Sequence, residues 1–165
     1  MRFATTAIFT LLVASSAVAK DSAPEEPLHY TAHVQLTAGS AVAVDQSVEL
    51  VDRHTLTLQG TAKDDSKISY TVKLTPYVVT GDRVGMHAFV VVKTQGPTDT
   101  ITTGGKTMSL PSSTTCSVSP KAILDYNTPT KLASTTGVNN GNGHVIPGCE
   151  ITVTLSKPQA EAQQQ

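Results

Sequence analysis

Period-two alternation constrains this chain more than any other feature. Tyr30, Ala32, Val34 and Leu36 alternate with His29, Thr31, His33, Gln35 and Thr37, the pattern of a strand with one face buried and the other wet. It returns at Val42, Val44, Val48 and Leu50, then at Leu56 and Leu58. A further run is Ile68, Tyr70, Val72 and Leu74, followed by Val84, Met86, Ala88, Val90 and Val92, and finally Ile151, Val153 and Leu155. Successive side chains of a strand point to opposite faces, so each run offers one apolar face that must be covered by another. Threonine and valine are abundant, a palette suited to pleated sheet. Tryptophan is missing and aromatic residues make up only 4%, which leaves little from which to build the aromatic walls of a sugar or small-molecule site.

Turn chemistry separates the runs. Ala38-Gly39-Ser40 turns the chain after the first strand. His54 to Thr61 and Lys67 to Thr75 read as a hairpin joined by Lys63-Asp64-Asp65-Ser66. Thr80-Gly81-Asp82 leads into Arg83 to Lys93, where Phe89 and Val91 occupy the second face as well; this pattern predicts a central strand covered on both sides. Gly104-Gly105, between Thr100 to Thr103 and Lys106 to Leu110, is a two-residue hairpin signal because both positions can adopt positive φ. The spacing predicts a single all-β domain over 29–156, an antiparallel β-sandwich of about eight strands with one disulfide. A small closed β-barrel is the alternative. Leu74-Thr75-Pro76-Tyr77-Val78-Val79, followed by Gly81-Asp82-Arg83-Val84, resembles the strand, proline, glycine-turn and strand pattern of bacterial secretin proteins; it describes a hairpin, and no function follows from it.

The ends place the domain in a compartment. Arg2, the apolar stretch Ala7 to Val13 and Ala17-Val18-Ala19 have the order of a secretory signal with an A-x-A cleavage site, over 1–19. A flexible leader is expected over 20–28 and a disordered tail over 157–165. The apolar stretch falls short of the roughly 20 residues of a spanning helix, and no cysteine follows the signal to carry a lipid. A periplasmic or secreted protein with no membrane span is the expectation. Formal net charge is −1, with acids and bases scattered along the 165 residues, so neither nucleic acid nor a polybasic membrane contact is expected.

Cys116 and Cys149 are the chain's two cysteines, and in an oxidising compartment they read as one disulfide. Closing a loop of this length stabilises the fold by about 3.5–4 kcal/mol in the chain-entropy account. The bridge brackets Pro111 to Gly148, where regular alternation dissolves into Ser, Thr, Asn, Gly and Pro. One short strand or helical turn near Ala122 to Tyr126 is expected there, with a mobile tip at 139–143.

Motifs that carry chemistry are few. Thr103-Gly104-Gly105-Lys106-Thr107 has the residues of a phosphate loop, but Thr100 stands where its first glycine belongs and strands flank it on both sides. Gly-x-Ser-x-Gly and Ser-x-x-Lys do not occur. His29 and His33 share a strand face but lie about 13 Å apart at ~3.3 Å per residue, too far for one ion. No catalytic, cofactor-binding or metal-ligating residue is assigned, and no cofactor is expected. The sequence reading is therefore a non-enzymatic, exported module of the cell envelope. It would bind a protein partner through the disulfide-pinned 111–148 region, to which Tyr126, Asn127, Lys131 and His144 would contribute contacts. Two alternatives stand beside it: a small periplasmic hydrolase or metal-dependent enzyme built from scattered His, Asp and Ser, and an edge-strand pairing subunit of an envelope assembly. The oligomeric state is left open.

Overall fold

A computed structural model describes residues 27–79, 83–139 and 145–156. The signal sequence expected over 1–19, most of the expected leader, the expected C-terminal tail, Thr80-Gly81-Asp82, His144 and most of the 139–143 tip lie outside the described residues.

The strands are β1 (His29–Ala38), β2 (Ala41–Val51), β3 (Leu56–Thr61), β4 (Ile68–Val78), β5 (Arg83–Thr103) and β6 (Lys106–Val118). They continue as β7 (Lys121–Asp125), β8 (Thr130–Ser134), β9 (Val138–Asn139), β10 (Val145–Ile146) and β11 (Cys149–Ser156). Four form one sheet in the order β2-β1-β11-β8; five form the other, β3-β4-β5-β6, with β7 also pairing β5; β9 and β10 make a short ribbon. The ladders are antiparallel. Both sheets keep open edges, so the arrangement is a sandwich and not the closed barrel.

Alternation builds the core as expected. In β1 the exposed residues His29, Thr31, His33 and Gln35 alternate with buried Tyr30, Ala32, Val34 and Leu36. Leu36, Leu50, Ile151 and Leu155 from one sheet and Leu74, Met86 and Leu124 from the other are fully buried in a single cluster. Each such side chain stabilises the fold by about 1.5–3 kcal/mol relative to exposure. The disulfide joins Cys116 of β6 to Cys149 of β11, with Cα atoms 6.3 Å apart, and thus staples one sheet to the other. At the opposite edge, Asp52-Arg53 carries the chain across. Arg53 takes φ 58° and donates its N–H to Pro76 O at 2.8 Å, while the Asp52 carboxylate accepts the Val78 N–H at 3.1 Å.

Three expectations change. The strand from Arg83 does not stop at Lys93 but runs 21 residues to Thr103, through an irregularity between Gln95 and Thr98. It is central in strand order, yet its second face is open: His87 and Phe89 are exposed. The 111–148 region holds more strand than one short element, since β6 reaches Val118, β7 covers the expected position near Ala122, and β8 adds an edge to the four-stranded sheet. In β6 the inward positions are Ser112, Thr114, Cys116 and Val118, small residues whose alternation a hydrophobicity pattern does not register.

Candidate functional site

Past Gln95, whose N–H still donates to Lys67 O at 2.9 Å, β5 leaves its neighbour β4 and pairs with β6 alone. The register runs from Thr98↔Pro111 to Thr103↔Lys106, a two-stranded arm about 17 Å long at ~3.4 Å per residue. Gly104 and Gly105, at φ 61° and 76°, close it with the turn that the sequence predicts. One face of the arm is polar: Thr102 and Thr107 are paired, their hydroxyls 3.3 Å apart, next to the Thr100↔Ser109 pair. The other is mixed: the Asp99↔Leu110 and Thr103↔Lys106 pairs flank Ile101↔Met108, which leaves Ile101, Met108 and Leu110 as its apolar residues. These three side chains are 45%, 58% and 46% exposed. Isolated exposed apolar residues are ordinary, whereas here three fall on one face of a single ribbon.

The arm is rooted in the disulfide-pinned region, because its return strand β6 leads directly to Cys116. Cys149 N–H donates to Thr135 Oγ1 at 2.9 Å, and Thr135 N–H donates to Cys149 O at 2.9 Å, so this side of the bridge is held by backbone as well. The side chains singled out from sequence divide. Tyr126 is half-buried and bridges to Leu155. Asn127 takes φ 58° and donates its N–H to Leu155 O at 2.6 Å, which makes it the turn residue between β7 and β8. Lys131 lies on the outer face of the four-stranded sheet, 2.7 Å from Glu150. That contact, followed by a hydrogen bond from Ser134, holds the Glu150 carboxyl below its usual range. His144 is outside the described residues. Tyr126, Asn127 and Lys131 therefore each have a structural partner, whereas Ile101, Met108 and Leu110 of the arm are exposed. The sequence identifies the arm as a hairpin but not its exposed strip, because nothing local states that no third described strand pairs with it.

The described histidines sit on different elements or far apart along one. His33 Nε2 is 2.9 Å from Asp45, and His54 Nδ1 is 2.8 Å from Asp52 O. His87 Nε2 is 3.2 Å from Ser119 Oγ, the spacing of a base and a nucleophile, but both residues are exposed, His87 on the outer face of β5 and Ser119 in the link between β6 and β7. A cleft of about 490 Å³ opens between β2 and the β3–β4 hairpin, lined by Asp45, Gln46, Lys63, Asp64 and Tyr70 among others; neither His87 nor Ser119 lines it. Among the described residues no group of three or more His, Cys, Asp and Glu is placed to hold a metal ion, and no helix is long and apolar enough to cross a membrane. Comparison with known protein families, with curated proteins and with solved structures finds no match.

Proposed function

We propose that the chain is an exported, non-enzymatic interaction module of the cell envelope. It holds a protein partner with the β5–β6 arm and with the disulfide-pinned 111–148 region at the arm's root. The observation that carries this reading is the exposed strip of Ile101, Met108 and Leu110 on an arm with which no third described strand pairs. The signal sequence and the disulfide support export. Stapling β6 to β11 fixes the root of the arm, and a rigid root lowers the ordering cost of binding.

The edge-strand alternative draws on a separate observation. β3 lies at the edge of its sheet, and Leu56-Thr57-Leu58-Gln59-Gly60-Thr61 contains no lysine, proline or acid, the residues that usually blunt such an edge. The arm is preferred because it presents side chains, and thereby selectivity, as well as backbone.

In-cell crosslinking of the protein in its own envelope, compared with a variant whose residues 98–110 are replaced by a short turn, tests the proposal. A specific adduct lost in the variant while the unfolding midpoint holds is the expected result. An adduct that persists without the arm refutes it.

A further inference from the structure

The outer face of the five-stranded sheet carries a charge that the chain as a whole does not. Odd-numbered positions of β4 and β7, of β5 as far as Gln95 and of β6 from Ser113 onward point outward, as do Thr57, Gln59 and Thr61 of β3; the pairings Lys73↔Phe89, His87↔Lys121, Gly85↔Ile123, Val91↔Ser117 and Lys93↔Thr115 put them in one grid. Lys73, Lys93, Lys121 and Arg83 share this face with one acid among the described residues, Asp125, 3.5 Å from Arg83. The opposite face of the sandwich is the reverse: Asp45, Glu49 and Glu150 stand there with Lys131. Between the lysines runs an apolar centre of Phe89, Val91, Ile123 and Tyr77. Phe89 is 38% and Ile123 44% exposed. A depression of about 460 Å³ opens beside it, lined by Gln59, Ser69, Thr71, Val91 and Lys93.

We infer that this face docks an acidic surface of a partner protein: apolar side chains of the partner meet Phe89 and Ile123, and its carboxylates meet Lys73, Lys93 and Lys121. The inference rests on the interaction-module reading and names the partner's chemistry. Charge complementarity selects the sign of the partner and speeds encounter. Four strand positions ~4.8 Å apart and strands of eleven residues give a face of roughly 700 Å², near the ~800 Å² per partner of a stable interface. The anchors favour a protein over a lipid surface, since Phe89 and Ile123 are more than half covered by their own sheet and do not protrude as a membrane wedge must. Part of the face, Lys121, Ile123, Thr115 and Ser117, comes from the 111–148 region, so it adjoins the root of the arm.

The test places the photocrosslinker p-benzoylphenylalanine at position 89, and in a second version at position 108 on the arm, in the full-length protein expressed in the cells that make it. The crosslinked peptides are sequenced. The expected result is a protein adduct at 89 that maps to a net-acidic segment. Its yield should fall about tenfold or more in Lys73→Glu/Lys93→Glu/Lys121→Glu, as loss of several complementary charges implies, while Asp45→Lys/Glu49→Lys on the other face leaves it unchanged. Thermal unfolding confirms that each variant is folded, and Lys73→Gln/Lys93→Gln/Lys121→Gln replaces the reversal if that variant is not. An adduct at 89 with lipid, with a second copy of the chain or with a neutral or basic segment overturns the inference, as does one that survives reversal. Capture at 108 without capture at 89 overturns it and leaves the module reading standing. Capture at neither position removes both.

Discussion

Two glycines show how closely the chain is fitted. Tyr77 lies with its ring over Gly85, its cross-strand partner, so a Cβ at Gly85 would enter the ring. A Cβ at Gly148 would meet Thr135 O and stand 2.9 Å from Gly137 N, and backbone cannot yield as a side-chain tip does. Gly148→Ala should therefore destabilise the protein by about 1–3 kcal/mol, read from chemical denaturation; an unchanged midpoint would contradict the close approach. The pair Lys131–Glu150 adds a pH dependence of known sign. The Glu150 carboxyl is held low in the fold by Lys131 first and Ser134 second, so its contribution is present above the ordinary glutamate range and fades as pH falls through the lowered value. Tyr30 works the other way: burial, then the charge of Asp52, then Tyr126, raise its hydroxyl, so its contribution is lost as pH climbs beyond the ordinary tyrosine range.

Among the elements, the disulfide and the arm play opposite parts. Cys116→Ala/Cys149→Ala should lower stability by about 3.5–4 kcal/mol, measured as the loss of unfolding free energy; a loss far below that would mean that the sheets hold together without the staple. Strands with large alternating side chains, such as β1 and β4, were legible because burial there depends on Val, Leu and Ile. The inward residues of β6 are Ser112, Thr114, Cys116 and Val118, and β8 offers Leu132 and Ala133 over five residues, too little for a period to emerge. The length of β5 was hidden for another reason. Gly96-Pro97 reads as a break, whereas the chain passes it with a bulge and continues.

At the scale of the whole molecule, the sign of each face is the feature that composition conceals. Lys73, Lys93, Lys121 and Arg83 are scattered in sequence and gathered in space, because strand parity sends all four outward from one sheet. A chain of net charge −1 should accordingly be retained on a cation exchanger near neutral pH at low salt, and Lys73→Gln/Lys93→Gln/Lys121→Gln should elute earlier. Co-elution of the two proteins would mean that the face does not act as one charged surface. The fold also separates support from display: the core lies between the sheets, while Ile101, Met108 and Leu110 stand beyond them. The most direct measurement compares Ile101→Ser/Met108→Ser/Leu110→Ser with the wild type for partner crosslinking in the native envelope and for the unfolding midpoint in the same preparation. The account predicts that capture is lost and that stability changes by less than about 1 kcal/mol, as for surface sites. Capture that survives the three substitutions would contradict it.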